Sequence, residues 1–207
     1  MRIIAPSHEI LTPIDGVQIL KHIESCGRIC YKSEHKITDD SYLSFVKNIV
    51  KRGHEAVLEH FSVSVKFICD RGVSHEIVRH RLASYCQEST RYCNYSNDDF
   101  GSEITVIKPP FLKVGTDGYE LWRDSMLMAE RFYFDLLEWG CTPQEARSVL
   151  PNSLKTEIVM TADLREWRHF LKLRTSQAAH PQIREVAIPL LIELKSLIPV
   201  IFDDIEV

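Results

Sequence analysis

Residues 79–92 read RHRLASYCQESTRY, and the rest of the fold is interpreted outward from this stretch. Its cationic and hydroxyl side chains are Arg79, His80, Arg81, Ser84, Ser89, Thr90 and Arg91. The whole chain has a formal net charge of -4, so this cluster predicts a dedicated anion site rather than a generally cationic surface. Charge-assisted hydrogen bonds contribute about 1.5–3 kcal/mol each, so two or three could hold a phosphorylated small molecule.

The residues before this stretch predict a helix over 70–81. Val73, Ile77 and Val78 recur at helical spacing, and Asp70 is placed to cap a helix that starts at Arg71. In such a helix, Arg79 and Arg81 would point about 200° apart, too far for one ligand to reach both. Either the helix ends near His80, or the two arginines serve different ligands or different subunits. A solvated helix face with surface ion pairs is the simpler interpretation of arginines alone.

The spacing of these residues resembles a family signature. Arg79-His80-Arg81, followed after seven residues by Ser89 and then by Arg91-Tyr92, is similar to the signature of the flavin-dependent thymidylate synthases. The resemblance extends over about residues 30–184. It implies a flavoprotein methyltransferase that converts dUMP to dTMP, with methylenetetrahydrofolate as one-carbon donor, FAD as cofactor and NADPH as reductant. It also implies a homotetramer whose active sites are shared between subunits. Arg79 and Arg81 on opposite faces of a helix would be consistent with such shared sites.

Length and composition predict one compact domain over residues 1–207. The chain is 44% hydrophobic, and it has no apolar run of about eighteen residues and no signal-peptide layout, so we expect a cytoplasmic protein without membrane contact. The six cysteines form no CxxC pair, which favours reduced thiols over a zinc site or disulfides. The absence of a lysine block argues against a nucleic-acid partner.

The hydrophobic pattern predicts an α+β fold with a central, mainly antiparallel sheet flanked by helices. The predicted strands cover residues 1–5, 61–69, 104–107 and 155–161. The predicted helices cover 17–31, 39–53, 70–81 and 119–139, a short segment from Pro143, residues 163–174, and a last helix from Pro181 that Pro189 should kink. Residues 82–97 are predicted to be an extended loop.

The resemblance also implies the residues that bind dUMP. They are Glu76, Ile77, Val78, Arg79, Gln87, Glu88, Ser89, Thr90, Arg91, Arg147 and Arg174. Arg174 stands at the position of the family's key arginine and is the predicted catalytic residue. Because arginine stays protonated near neutral pH, its role must be electrostatic rather than that of a general base.

The flavin contacts that the resemblance implies fall at several separated positions. They are His54, Ala56, Arg79, His80, Arg81, Gln87, Asp163, Arg165 and His169. Relatives commonly have Ser or Thr at position 56, so contact at Ala56 would be through the backbone. Asp163 and His169 stand where Asn is frequent, and Asp163 with Glu166 also has the form of a capping box. Residues 27–33, GRICYKS, are similar to a segment that lies against the flavin.

Other chemistries compete for some of these residues. His54 and His60 are six apart, whereas a helical zinc motif needs two histidines four apart, so no metal site is predicted. Ser89 has no G-x-S-x-G elbow and no neighbouring histidine, so it is interpreted as a phosphate donor and not as a nucleophile. A non-catalytic nucleotide-binding module and a histidine-ligated metal hydrolase remain alternative functions.

Overall fold

The computed structural model describes residues 1–95 and 101–207. Within these residues the strands are β1 (Arg2–Ile4), β2 (Ser7–Ile10), β3 (Ser62–Asp70), β4 (Ala83–Gln87), β5 (Thr105–Ile107) and β6 (Lys155–Asp163). The α-helices are α1 (Gly16–Ile29), α2 (Ser41–Lys51), α3 (Arg71–Ile77), α4 (Asp117–Glu138), α5 (Pro143–Ala146), α6 (Leu164–Arg174) and α7 (Pro181–Leu197). The predicted α+β fold with a mainly antiparallel sheet and flanking helices is confirmed.

The strands form two sheets. The larger sheet has the order β2-β3-β6-β4, and the smaller one pairs β1 with β5 in parallel, with Arg2 opposite Thr105. Along β3 every second side chain is buried, as the alternating sequence predicts. The buried apolar side chains of this strand are Val63, Val65, Phe67 and Cys69. Burial raises the pKa of the Cys69 thiol to about 12, so this cysteine is a core residue.

The chain forms two compact units. Unit 1 comprises Met1–Ser7, Phe67–Arg79 and Tyr85–Val159, and unit 2 comprises His8–Lys66, His80–Ser84 and Met160–Val207. The assignment of residues 1–207 to one domain stays a prediction. Unit 1 has a core beneath α4, which contains Tyr95, Ile104, Val106, Met126, Tyr133, Ala146 and Leu154.

The core of unit 2 gathers α1, α2, α6 and α7. Helix α1 approaches α2 closely at Gly27, where an added Cβ would lie 2.6 Å from the ring of Phe45. Helix α6 is fixed to β3 by Trp167, whose indole Nε1 donates to the carbonyl of Val63 at 3.0 Å. These contacts hold the helix on which several predicted site residues lie.

The predicted helix over 70–81 is wrong at its C-terminal end. Asp70 caps α3 as expected, accepting from the backbone N–H of Val73 at 2.8 Å, but the helix ends at Ile77. The Tyr85 hydroxyl donates to the Ile77 carbonyl at 3.0 Å, so this carbonyl is satisfied without a further helical turn. The 200° separation of Arg79 and Arg81 therefore does not apply.

Other elements also differ from prediction. Residues 83–87, assigned to a loop, form β4, and Glu88 continues toward β6 by donating its N–H to the Glu157 carbonyl at 2.9 Å. Strand β2 and a 3₁₀ segment over Glu55–His60 were not predicted. Residues 96 and 97 of the predicted loop lie outside the described residues.

Other predictions can be compared directly with the structure. Pro189 lies inside α7, and the kink stays a prediction. All six cysteines are free thiols, as their spacing predicts. None of the helices in the described part of the chain is long and apolar enough to cross a membrane.

Candidate functional site

Unit 1 contains an open cavity of about 510 Å³ with cationic side chains at its wall. Arg147 lies on a 3₁₀ turn after α5, and its Nη1 donates to the hydroxyl of Thr90 at 3.2 Å. Thr90 is buried and Arg147 is exposed, so the hydroxyl anchors one side of the guanidinium and leaves the rest accessible. Arg71 and His75 line the same cavity. The cluster suits an anion such as a phosphate.

The side chains of Gln87 and Glu88 are engaged by other residues of unit 1. Gln87 Nε2 donates to Ser74 Oγ at 2.9 Å and to Thr156 Oγ1 at 3.2 Å. Glu88 accepts from Lys155 Nζ at 3.0 Å and from the Tyr95 hydroxyl at 3.1 Å. The Glu88 carboxylate is therefore committed to a protein network, and a nucleotide contact at this position would use its backbone.

Glu88 and its partners also change the acid–base behaviour of the network. Burial raises the pKa of Tyr95, and the neighbouring Glu88 carboxylate adds to this rise. Burial acts to lower the pKa of Lys155, but hydrogen bonds to Glu157 and Glu88 outweigh it and raise that pKa. The tyrosine thus stays neutral and the lysine charged near neutral pH.

Ser89 lies in a tight turn and Arg91 follows it on the surface. Ser89 Oγ accepts from the backbone N–H of Arg91 at 3.3 Å, and its carbonyl accepts from the N–H of Cys93 at 3.0 Å. The guanidinium carbon of Arg91 lies 5.4 Å from the ring centroid of Tyr92. In the part of the chain that the structure describes, no histidine is hydrogen-bonded to Ser89 Oγ, and its role as a phosphate donor stays a prediction.

The predicted nucleotide residues at 76–79 form the last residues of α3 and the turn that follows it. Ile77 is buried, whereas Val78 and Arg79 are exposed. The backbone N–H of Arg79 donates to the Glu76 carbonyl at 3.3 Å, which closes the last turn. Among residues 1–95 and 101–207, the Arg79 side chain has no hydrogen bond or ion pair, and the same holds for Arg81 in unit 2.

Unit 2 brings Arg174 against a buried pair of titratable residues. His80 Nδ1 lies 3.0 Å from Glu166 Oε1, and Arg174 Nε donates to His80 Nε2 at 3.1 Å. His80 is 5% exposed and Glu166 is 7% exposed. Burial lowers the pKa of His80, and the Arg174 charge lowers it further, against the opposing effect of Glu166. His80 is therefore neutral near pH 7.

The same residues satisfy the spacing of a metal site. Ligand atoms of His80, Glu166 and His169 all lie within 4.8 Å of one another. Each ring nitrogen of His80 already has a protein partner, however, so a metal ion would have to displace the hydrogen bond from Arg174. The geometry fits a hydrogen-bonded series better than a set of metal ligands.

A cavity of about 750 Å³ in unit 2 gathers three predicted flavin positions, His54, Ala56 and Arg165. The segment that resembles the flavin-facing GRICYKS also reaches it, through Gly27, Arg28, Cys30, Tyr31 and Ser33. Other cationic and apolar side chains at its wall are Lys36, Phe45, Ile49, Arg52 and Val57. The wall thus combines flat apolar surface with positive charge, as a dinucleotide with an aromatic ring and a pyrophosphate requires.

A second cavity of unit 2, of about 920 Å³, is lined by predicted flavin positions at the N-cap and within α6. Arg165, His169 and Asp163 line it. Asp163 accepts from the N–H of Glu166 at 2.8 Å and so forms one half of the predicted capping box, while the Glu166 carboxylate is engaged by His80. Arg165 Nη1 donates to Glu59 Oε1 at 2.5 Å. Side-chain contact from Asp163 would compete with its role as helix cap.

The residues of these clusters that the sequence did not single out include Arg71, His75 and Glu166. His75 and Arg71 precede the quoted stretch by about one and two helical turns respectively, so the sequence pattern indicates them only as part of the helix. Glu166 was assigned to the capping box. A signal was present, because Glu166, Phe170 and Arg174 recur every four residues and share one face of α6.

The sequence is similar to a described family along most of its length. It matches "Thymidylate synthase complementing protein" over residues 16–200. A flavin-dependent thymidylate synthase from Pyrococcus abyssi is 36% identical over 165 residues, which are 79% of this chain and 66% of that protein. One from Pyrococcus furiosus is 34% identical over 184 residues, which are 88% of this chain and 74% of that protein. The chain thus spans about two thirds to three quarters of their length.

A solved structure has the same fold. The crystal structure of a UMP/dUMP methylase, PolB from Streptomyces cacaoi, bound with 5-Br dUMP, matches with a TM-score of 0.79. The match covers 98% of this chain and 96% of that chain, at 22% sequence identity. At this identity the likeness concerns the arrangement of helices and strands.

Proposed function

We propose, because the chain belongs to the thymidylate synthase complementing protein family, that it is a flavin-dependent thymidylate synthase. It would methylate dUMP to dTMP, with methylenetetrahydrofolate as one-carbon donor and NADPH as the source of reducing equivalents for FAD. The observation that carries this proposal is the family match over residues 16–200, together with relatives of that name at 34–36% identity. Residues 1–207 would act as one synthase domain.

The nucleotide phosphate would bind to the cationic cavity of unit 1. Arg147 offers a guanidinium fork that Thr90 already orients. Ser89 and Arg91 were assigned to the same phosphate, and Arg71 would add a further cation from the cavity wall. A phosphate dianion is best held by several such donors because each charge-assisted bond contributes about 1.5–3 kcal/mol.

Arg174 would act on the uracil ring. A guanidinium held at a fixed angle can donate to a ring carbonyl and stabilise negative charge that develops when the ring is activated. Its Nε donates to His80 Nε2 at 3.1 Å, which fixes the plane of the guanidinium. Because the cation is in place before the ligand arrives, little reorganisation is needed during the reaction.

The flavin would bind in unit 2. The 750 Å³ cavity lies within the usual range for ligand pockets, about 300–1,000 Å³, and its wall carries both cations and apolar side chains. Arg165, His54 and Lys36 would pair with the pyrophosphate, and Phe45 would cover part of a flat ring. Bound FAD supplies the hydride that reduces the transferred one-carbon unit. Contact at Ala56 would come from the backbone.

A homotetramer would explain an apolar stripe on α4. Leu121, Met128, Phe132 and Trp139 lie within about 40° of one another around the helix, at 100° per residue. Their exposures are 71%, 56%, 47% and 91%. Such a stripe on a surface helix is typical of an interface. Exposed Arg79 and Arg81 would then reach active sites shared with other subunits.

The test begins with the purified protein. We expect flavin absorption bands after incubation with FAD and removal of the excess. Thymidylate should then form from dUMP, methylenetetrahydrofolate and NADPH, measured by chromatography, and it should not form when any one component is omitted. Native mass spectrometry should give four chains per particle, and Phe132→Glu should reduce that number while Arg131→Glu, an exposed neighbour outside the stripe, should not.

Different results would support the alternatives. A colourless protein that binds dUMP but no FAD would be a nucleotide-binding module. Hydrolysis of a phosphorylated compound that stops on chelation would indicate a metal hydrolase using His80, Glu166 and His169.

A further inference from the structure

The contact between Glu166 and His80 fixes which nitrogen of the imidazole carries hydrogen. An ionised carboxylate only accepts hydrogen bonds, so the proton between Glu166 Oε1 and His80 Nδ1, 3.0 Å apart, belongs to the imidazole. A neutral imidazole has one donor nitrogen and one acceptor nitrogen. His80 Nε2 is therefore left as an acceptor, and Arg174 Nε supplies the matching donor at 3.1 Å.

The surroundings hold this imidazole in one orientation. The ring of Phe170 meets it edge-on with centroids 4.9 Å apart, and the ring of His169 does so at 5.5 Å. Glu166 is fixed in turn, because its backbone N–H donates to the cap residue Asp163 at 2.8 Å. Burial of the pair keeps water from competing for either hydrogen bond.

We propose that Glu166 and His80 are positioning residues, which fix the orientation of the Arg174 guanidinium through two successive hydrogen bonds. We call this series the Glu166–His80–Arg174 relay. The proposal rests on the proposed function, in which Arg174 acts on the uracil ring. It gives His80 a task distinct from the flavin contact that the resemblance implies, since both of its ring nitrogens are used within the protein.

The relay predicts an effect on turnover more than on substrate binding. A misplacement of about 1 Å in a group that acts on the transition state can cost roughly 10²-fold in rate. Nucleotide affinity would be supplied mainly by the phosphate-binding residues of unit 1. Damage to the relay should therefore lower kcat while the KM for dUMP stays within about threefold.

Two substitutions at His80 separate the relay from simple packing. The amide of Gln reaches about as far as imidazole Nε2 and can accept from Arg174, whereas the shorter Asn overlays Nδ1 and can only engage Glu166. We expect His80→Gln to keep kcat within about tenfold of the natural protein and His80→Asn to lose about 10²-fold. Melting temperatures of both variants monitor the fold.

Two substitutions at Glu166 test the first step of the relay. Glu166→Gln can still accept from His80 Nδ1, so kcat should fall by about tenfold or less. Glu166→Ala frees the imidazole to adopt its other tautomer, in which Nε2–H would face the Nε–H of Arg174, so kcat should fall further. Leu194→Ala, which removes buried apolar volume from α7 away from the relay, should lower the melting temperature and leave kcat within about threefold.

A structural readout makes the relay independent of the proposed activity. In crystal structures, the Arg174 guanidinium should keep its place in His80→Gln and move in His80→Asn. An inactive natural protein that still showed this difference would count against the proposed function and not against the relay. The relay would be overturned by an unmoved guanidinium in both variants, or by equal kcat for His80→Gln and His80→Asn. If His80→Asn does not fold, equal kcat for Glu166→Gln and Glu166→Ala would overturn it.

Discussion

Two of the three arginines of helix α6, Arg168 and Arg174, are held by different kinds of partner. Arg168 is 1% exposed, its Nε donates to Glu55 at 3.0 Å, and its terminal nitrogens donate to Asp204 at 2.6 and 2.8 Å. It also donates to the carbonyl of Ile201. Arg174, six residues later, donates from Nε to an uncharged imidazole, and the carboxylate of Glu166 lies one hydrogen bond further away.

This difference separates a structural cation from one that can act on a ligand. Carboxylates placed directly on a guanidinium compensate most of its charge at short range, so Arg168 fastens the C-terminal residues to α6 and exerts little field elsewhere. A neutral acceptor orients the guanidinium fork without placing a counter-charge against that nitrogen. The middle and the C-terminal end of one helix therefore use the same residue type for stability and for electrostatics.

The largest effect should follow from removing the cation at the ligand end. Arg174→Ala should lower kcat by about 10²–10³-fold, because one preorganised donor to developing negative charge is lost. Arg174→Lys keeps a positive charge but not the planar fork, and should remain at least about tenfold impaired. Steady-state kinetics with saturating dUMP measure both, and the absorption spectrum should show that FAD is still bound.

Substantial turnover by Arg174→Ala would break the comparison at this end. The outcome would mean that Arg174, like Arg168, is there for the fold. An equal fall in melting temperature on substitution of Arg174 and of Arg168 would also indicate that Arg174 has a structural role.

The sequence predicted this site only in part, for physical reasons that the two ends of α6 illustrate. The cap at Asp163 and the helix to Arg174 follow from local pattern, since both depend on neighbours within four residues. The contact of Glu166 with His80 joins residues 86 apart in sequence, and the contact of Arg168 with Asp204 joins residues 36 apart. No local periodicity reports such pairs.

The end of α3 shows the same limit. No Gly or Pro follows Ile77, so the pattern predicts a helix that continues to Arg81. The stop depends on Tyr85, which satisfies the Ile77 carbonyl from the start of the next strand. Strand β4, ASYCQ, was missed because it lacks an alternation of large apolar and polar side chains, and Gln87 at its end is fixed by Ser74 and Thr156 from other elements.

The next largest effect should follow from substitution of Arg168, the structural arginine of α6. Arg168→Met should destabilise the protein by about 3 kcal/mol, near the lower end for breaking a buried ion pair because Asp204 is 47% and Glu55 21% exposed. For a chain of this size, that shift lowers the melting temperature by roughly 6–12 °C. Calorimetry measures it, and kcat per folded molecule should stay close to that of the natural protein.

The control for this variant is Arg131→Met on α4. Arg131 is also paired with a carboxylate, Asp135, at 3.6 Å, but its side chain is 78% exposed. Its loss should leave the melting temperature nearly unchanged. Equal effects of the two substitutions would show that burial does not distinguish Arg168.

A smaller effect tests a third arginine, Arg147, which is held by a hydroxyl. Thr90→Val keeps the shape of the side chain but removes the acceptor that orients Arg147 at 3.2 Å. A single hydrogen bond of about 0.5–1.5 kcal/mol corresponds to a rise of roughly two- to tenfold in the KM for dUMP, with kcat retained. Thr105→Val, on β5 of the same unit, is the matched control and should leave KM unchanged.

The smallest effect concerns pH. It should distinguish Arg174 from Arg168, because the groups that hold these two arginines take up a proton in different pH ranges. Burial holds the pKa of His80 below its ordinary value of 6.5. The imidazole of the folded protein is therefore protonated mainly below that pH. Once it is protonated, Nε2 can no longer accept the hydrogen bond from Arg174. Arg168 holds the pKa of Asp204 below 3.8, so that ion pair persists until the pH falls further.

As the pH falls from 6.5 to about 4, activity should therefore decline while the ion pair of Arg168 with Asp204 remains intact. The free energy of unfolding should also decrease as the pH falls. As the pH is lowered, the unfolded chain binds a proton at His80 before the folded protein does. The contribution of His80 to stability is therefore complete above pH 6.5 and is lost as the pH falls through the lower pKa of the folded state. One proton limits the decline in kcat to about tenfold per pH unit.

The variant His80→Gln sharpens this assignment. In residues 1–95 and 101–207, the charged or titratable groups that shift the pKa of His80 include Glu166, His169 and Arg174, all from α6, and these three remain in the variant. The glutamine of His80→Gln does not titrate, so the part of the fall in kcat at low pH that comes from position 80 should disappear. Unfolding below pH 4 should be unchanged. Profiles of kcat from pH 5 to 8, with circular dichroism at each pH, measure the two processes separately. An acid limb identical in both proteins would assign it to another group, and the neutral imidazole would lose its role as the acceptor that sets Arg174 apart from Arg168.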